Sequence, residues 1–267
     1  MSQVVFITGG ASGLGKTLAL TWAARGASVC IGDVNLERGE QTLQELIAAG
    51  ADALFVKCDI TSEADLQDAF DAIMQRWQRI DVVVNNAGIA SAGRLESESI
   101  EQWQKVLDIN LLGMVRCSKQ FVGAFKQQGH GYFVNVASQA GLTPIPRMGS
   151  YNAVKSAVVA FSETMKLELA RDNIGVTVVC PTFFKTNLAE SLQTTEPVLH
   201  QQVQKYLNRA ELTAQQVADA ILDGVDKGRF LLTPDKIGKL AYWLKCFMPE
   251  NWYFKRMLKQ SRRMMEK

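Results

Sequence analysis

The chain has 267 residues, 47% of them hydrophobic and 21% charged, with a formal net charge of +2. This is ordinary globular composition, and it excludes a disordered chain or one that needs disulfide staples to hold a core. No run nears the ~18 apolar residues of a membrane span. Residues 1–3 lead into Val4-Val5-Phe6-Ile7 without the basic start or cleavage site of a signal peptide, so the expected compartment is the cytoplasm.

The pattern along the chain alternates short apolar runs with helical spacing. Residues 4–8 read as a strand, followed by a glycine-rich turn and a helix over 14–25 with Leu14, Leu18 and Trp22 on one face. Gly26 is a plausible C-cap. Strands follow at 28–32 and 53–57, separated by a helix over 36–49 that Gly50 stops. Thr61 and Ser62 are N-cap candidates for a helix to residue 79. A strand at 81–84 leads to a long helix over 99–127, with Gly113 as a kink position. Then come a strand at 132–137, a helix over 149–171, a strand at 175–180 closed by Pro181, a helix over 213–227 and a last strand at 230–232. Strands alternating with helices predict an α/β fold: a parallel sheet covered on both faces, doubly wound by right-handed crossovers.

Five cysteines, an odd number with no CxxC and no Cys/His cluster, read as reduced core residues. His130 and His200 are the only histidines and have no metal-ligand spacing, so no metal site is expected. Charge is unevenly placed. Residues 236–267 hold nine Lys/Arg against two acids, a net of +7, while the rest holds 20 against 25, a net of −5. The expected division is a single catalytic domain over 1–235 and a basic, aromatic-rich extension over 236–267.

The turn Thr8-Gly9-Gly10-Ala11-Ser12-Gly13-Leu14-Gly15 lies between the first strand and the first helix. Its glycines allow a tight turn and close approach to a pyrophosphate, which the helix N-terminus favours. Asp33 ends the second strand, 18 residues after Gly15. A carboxylate there accepts hydrogen bonds from ribose hydroxyls and repels a 2′-phosphate; the plainer reading is a helix N-cap, which is compatible with that role. Val34 follows, not a basic residue, so NAD(H) is favoured over NADP(H).

These residues and those that follow resemble the short-chain dehydrogenase/reductase family over roughly residues 3–235. The TGxxxGxG motif matches Thr8 to Gly15, with Gly9, Ser12, Gly13, Leu14 and Gly15 as cofactor-binding candidates. The resemblance implies a seven-stranded Rossmann-like sheet in the order 3-2-1-4-5-6-7. It gives Asp59, with Ile60 beside it, an adenine-binding role. Asn85-Asn86-Ala87-Gly88 matches NNAG and would line the cofactor and brace the sheet. Asn110, Ser138, Tyr151 and Lys155 match the catalytic set, the last two in Tyr151-Asn152-Ala153-Val154-Lys155. The chain departs from the pattern at Val154 and at Thr182, which replaces the glycine of PGxxxT; Thr186 would bind the carboxamide.

The chemistry fits those residue types. A free Tyr has a pKa near ~10 and is a poor base at neutral pH. Lys155 lies four residues on, so both side chains leave one helical face, and its ammonium is expected to lower the Tyr151 pKa. Ser138 follows a strand, where its hydroxyl donates to the substrate oxygen. By resemblance, Lys155 also binds the nicotinamide ribose, and Asn110 holds a water between Lys155 and solvent. The expected enzyme transfers a hydride between NAD(H) and a hydrophobic secondary alcohol or ketone. The alternatives are an NADPH-dependent carbonyl or ketoacyl reductase, or a non-catalytic cofactor sensor.

Ile89, Gln139, Leu142, Ile145, Met148, Phe183 and Phe184 are the expected substrate-pocket linings. The run Val158-Val159-Ala160-Phe161 is apolar on more than one face. It reads as core packing, or, with the 99–127 helix, as the interface of a homodimer or homotetramer. The tail over 236–267 reads either as a basic amphipathic segment on an anionic membrane, drawing a lipid-like substrate, or as a segment packed on the subunit. Nucleic acid is not an expected partner, because the basic patch belongs to no recognised module.

Overall fold

A computed structural model describes residues 2–265 of the chain, Thr195 excepted. Seven strands form one parallel sheet in the order β3-β2-β1-β4-β5-β6-β7, as the resemblance implies. The first half runs β1 (Val4–Thr8), α1 (Gly13–Ala24), β2 (Ser28–Asp33), α2 (Leu36–Ala48), β3 (Ala53–Lys57), α3 (Glu63–Trp77) and β4 (Val82–Asn85). The second half begins with α4 (Ile100–Leu107), a π-helical turn (Asp108–Leu112), α5 (Gly113–Gln128), β5 (Gly131–Val136), α6 (Gln139–Leu142) and α7 (Gly149–Leu169). It ends with β6 (Ile174–Val179), α8 (Pro197–Arg209), α9 (Ala214–Asp226), β7 (Leu231–Leu232), α10 (Lys236–Phe247) and α11 (Glu250–Met265).

The central strands are apolar because both faces are covered. Along β1, Val5 and Ile7 join one core with Leu18 and Trp22 of α1 and Ile221 of α9. Val4 and Phe6 point the other way, into a core with Ile73 of α3 and Phe121 and Phe125 of α5. This is the two-residue period of a strand, read twice. Phe6 and Phe121 stack with ring centroids 5.1 Å apart. Burying each such ring contributes about 2–3 kcal/mol.

The expected long helix over 99–127 is three pieces. A π-helical turn over Asp108–Leu112 interrupts it just before Gly113, the position where the sequence suggests a kink. Gly113 serves a further need: a Cβ there would press into the Ile60 side chain at 2.6 Å, so the glycine lets α5 approach the sheet edge. Before residue 236, two α-helices lay outside the sequence reading. One is α6, a single turn whose N-cap Ser138 accepts from the Ala140 N–H. The other is α8, which starts with Pro197 in its first turn and buries Leu199, Val203 and Leu207 along one stripe.

The tail forms α10 and α11. Asp235 caps α10 through the Gly238 N–H and also accepts from the Thr182 hydroxyl at 2.8 Å. Gln139 donates to the Gly238 carbonyl at 3.2 Å and Lys245 to the Leu142 carbonyl at 2.5 Å, fixing α10 against α6.

Candidate active site

The strands deliver their C-terminal ends to one side of the sheet, and order reverses between β1 and β4, where such folds open a crevice. A cleft of about 1110 Å³ occupies that edge. Gly9, Ser12, Gly13, Leu14, Asp33, Asp59, Ile60, Asn86, Ala87, Gly88, Ser138, Tyr151, Lys155 and Thr186 all line it. Gly15 and Asn110 stand directly behind.

The glycine-rich turn is built for close backbone approach. Gly9 and Gly13 have φ of +64° and +50°, a region that side chains resist. A Cβ on Gly15 would run into the Gly9 carbonyl and the Asn86 amide, so only glycine lets α1 begin here. Ser12 is the N-cap of α1 but makes no side-chain cap bond, whereas Asn35, Ser62, Ser99 and Thr213 cap their helices. The first-turn N–H groups of α1 are therefore left for an anion in the cleft. Asn86 braces the turn by donating to the Thr8 and Gly9 carbonyls at 3.0 and 3.1 Å. Asn85 links strands, donating to Asn135 at 2.9 Å and to Ser118 at 3.1 Å.

Asp33 accepts from the Ala11 and Asn35 N–H groups, both at 3.0 Å, so it tethers the turn as well as facing the cleft. Asp59 accepts from the Thr61 N–H and hydroxyl at 2.9 and 2.8 Å. The donors and the free helix end suit a dinucleotide: a pyrophosphate over the glycines and a ribose at Asp33.

At the other end of the cleft, α7 carries Tyr151 and Lys155 on one face, as their spacing requires. The Lys155 ammonium lies 5.8 Å from the Tyr151 ring centre and donates to the Val136 carbonyl at 2.9 Å. The Ser138 hydroxyl lies close enough to the Tyr151 phenol to act on its pKa. The expected fall in the Tyr151 pKa is not what this pocket gives. Burial pushes the phenol up to about 12, against the lowering effect of Ser138. The same burial pushes Lys155 down to about 8. Taking either charge out of water costs more than the neighbours return.

Asn110 sits in the π-helical turn and exchanges two bonds with Ile89, accepting from its N–H at 2.8 Å and donating to its carbonyl at 2.9 Å. Gly88 lies between Asn110 and Lys155; a Cβ there would be 2.7 Å from the Asn110 Oδ1. The side chain of Asn110 is thus committed to fixing the strand-end loop beside Lys155.

The apolar end is lined by Ile89, Ile145, Met148, Phe183 and Phe184, with Gln139 at its polar edge. Leu142, expected among them, instead packs behind the wall with Met114 and Val158. It ends the short turn of α6 on the side turned from the cleft. Val203 and Leu207 of α8 and Ile237, Gly238 and Ala241 of α10 join the lining, though the sequence reading left them out. The i, i+4, i+8 spacing of Leu199, Val203 and Leu207 was the available signal for α8. Two further residues went unread. Arg38 lines the cleft near Asp33 and pairs with Glu190 at 2.8 Å. Buried Glu98 accepts from Ser91 and Ser150 hydroxyls and from the Ser150 N–H, and so holds the N-terminus of α7 one residue before Tyr151.

Known proteins carry the same arrangement. The short chain dehydrogenase family model matches residues 3–197. The chain is 34% identical to a CLA biosynthesis dehydrogenase/reductase of Lactiplantibacillus plantarum over 86% of this chain and 87% of that one. It is 32% identical to 11-beta-hydroxysteroid dehydrogenase A of Sesamum indicum over 96% of this chain and 75% of that one. A short chain dehydrogenase/reductase from Burkholderia phymatum, solved in complex with NAD, superposes with a TM-score of 0.87 at 28% identity, over 91% of this chain and 92% of that one. The chain therefore belongs to the short-chain dehydrogenase/reductase family and is an oxidoreductase of alcohol and carbonyl groups that uses a nicotinamide dinucleotide.

Proposed function

We propose that this enzyme transfers a hydride between NAD(H) and a hydrophobic secondary alcohol or ketone, with Tyr151 as the acid/base. The observation that carries the reading is that Tyr151, Ser138 and Lys155 meet in one cleft where the glycine-lined groove joins an apolar pocket. Gly9, Ser12, Gly13, Leu14 and Gly15 bind the pyrophosphate end, Asp33 the ribose hydroxyls and Asp59 with Ile60 the adenine. Asn86, Ala87 and Gly88 line the path between, and Lys155 and Thr186 hold the nicotinamide end. Once bound, the cofactor supplies or accepts the hydride.

The chain's own groups handle the proton. In ketone reduction, Tyr151 gives its phenolic proton to the carbonyl oxygen while Ser138 donates a hydrogen bond to the same oxygen. The phenolate left behind is stabilised by the Lys155 ammonium and by Ser138. In alcohol oxidation the proton returns by the same path. Apolar surroundings from Met148, Phe183, Val203 and Leu207 favour a hydrophobic substrate and exclude water from the exchange.

Asp33 supports NAD(H), since it faces the place where a 2′-phosphate would stand. Arg38 favours the NADPH-dependent carbonyl or ketoacyl reductase as the second reading: released from Glu190, it is a phosphate partner five residues from Asp33. Four buried, unpaired cysteines suit a reducing compartment such as the cytoplasm. We also infer a homodimer or homotetramer, since α7 turns Ala153, Ala160 and Leu167 outward in a line.

A panel of hydrophobic ketones and alcohols, with NADH and NADPH in parallel, tests the reading. The Tyr151→Phe variant is expected to lose roughly 10²–10⁴-fold in turnover and keep its NADH affinity by fluorescence titration. Full turnover in that variant would remove Tyr151 from the chemistry. A preference for NADPH would overturn the Asp33 argument.

A further inference from the structure

The C-terminal helices carry an unusual outward face. On α10, Ile237, Leu240, Trp243 and Phe247 are all exposed, with Ile237 at 77% and Phe247 at 70%. Their spacing keeps them within about a third of the helix circumference. The inward side is taken: Gly238 and Lys245 are bonded to α6, and Tyr242 packs against the Leu142 and Val158 cluster. On α11, Phe254 and Leu258 are exposed on one face four residues apart, and Trp252, 71% exposed, stands in the first turn on another side. Elsewhere on the described surface large apolar residues stand out singly or in small groups; here two consecutive helices present seven.

Charge accompanies the apolar stripe. Between residues 236 and 262 the sequence has seven Lys/Arg, at 236, 239, 245, 255, 256, 259 and 262, and one acid, Glu250. The stripe is also continuous with the cleft, because Ile237 belongs both to the exposed face and to the lining, and Gly238 and Ala241 follow it inward.

We propose that the outward faces of α10 and α11 dock on an anionic lipid surface and hold the apolar end of the cleft open beside it. A lipid surface answers both features at once. The aromatic and aliphatic side chains enter the boundary between headgroups and acyl chains, and the lysines and arginines meet anionic headgroups. A polyanion such as nucleic acid would meet the charges and leave the aliphatic stripe in water. A second copy across a two-fold axis would set two surfaces of net +6 against each other. No helix among the described residues is long and apolar enough to cross a membrane, so the contact lies along the surface.

The proposal goes beyond the reaction. Docking is read by vesicle binding, whereas turnover on a water-soluble ketone reads Tyr151 and the cofactor groove. The full chain is mixed with vesicles of phosphatidylcholine alone or with a third phosphatidylglycerol, and bound protein is separated by flotation. The wild type is expected to float with the anionic vesicles, more weakly with the neutral ones and less in high salt. Trp243→Ser with Phe247→Ser, residues outside the cleft lining, is expected to weaken binding at least about tenfold on both compositions. Lys255→Gln with Lys259→Gln is expected to lose about tenfold on anionic vesicles alone. All variants should keep wild-type NADH binding and turnover on the soluble ketone, which shows that they fold. Wild-type protein that stays unbound with anionic vesicles overturns the proposal. So does equal flotation of the Trp243/Phe247 variant, or a fall in oligomeric size on making it, which would assign the stripe to a second copy.

Discussion

Tyr151 and Lys155 are both buried in one pocket, and burial acts on them in opposite directions. The phenol stays protonated up to about 12, the state the proposed proton donor needs. The amine, lowered to about 8, loses its proton far below its ordinary range. For Lys155 the folded value lies below the unfolded one, so stability is full above about 10.5 and is lost as pH falls through 8. For Tyr151 the folded value lies above, so stability is full below about 10 and is lost as pH rises through 12. Between pH 8 and 9.5 the Lys155 effect acts alone, and cofactor-free protein should gain on the order of 1–2 kcal/mol relative to Lys155→Met. Urea unfolding at the two pH values checks this; parallel pH dependence in both proteins would show that Lys155 is not desolvated. Tyr151, Lys155, Asp33 and the glycines were legible in sequence because their spacing encodes their geometry. Glu98 was not, since it reaches Ser150 across 52 positions of chain.

At the scale of elements, the core strands and helices follow from hydrophobic period, and their ends from caps: Ser62, Ser99 and Thr213 each accept from the third residue on. The π-helical turn before Gly113 has no such local signal. It is fixed by the Asn110 amide, which satisfies both backbone groups of Ile89 on another segment. The N-terminus of α10 is capped by a single acid. Asp235 caps it and ties it to Thr182, the residue that stands where the family pattern has glycine. Asp235→Ala should cost about 1 kcal/mol. It should speed amide exchange across residues 236–247 and raise KM for hydrophobic ketones with kcat little changed. Unaltered exchange in α10 would mean that Gln139 and Lys245 hold the helix without the cap.

At the scale of the molecule, the proposed homo-oligomer would pair through the outward face of α7. Ala153, Ala160 and Leu167 recur every seventh residue, and Leu167 is 80% exposed at the far end. A seven-residue repeat keeps them nearly in line along the helix. A 29.5 kDa chain that pairs through this face should sediment at twice that mass or more, and Leu167→Glu should return it to the monomer. A monomeric wild type would leave α7 as plain surface. The sequence by itself determined the alternating layers, the glycine turn with Asp33, and the Tyr151–Lys155 helix face, because each depends on neighbours within a few residues. Only the tertiary structure decided which apolar residues face the cleft, that Arg38 meets Glu190, that α8 and α10 close the apolar end of the cleft, and that burial outweighs the Ser138 hydroxyl in setting the Tyr151 pKa. Those outcomes depend on contacts between distant segments and on how much water the assembled walls exclude.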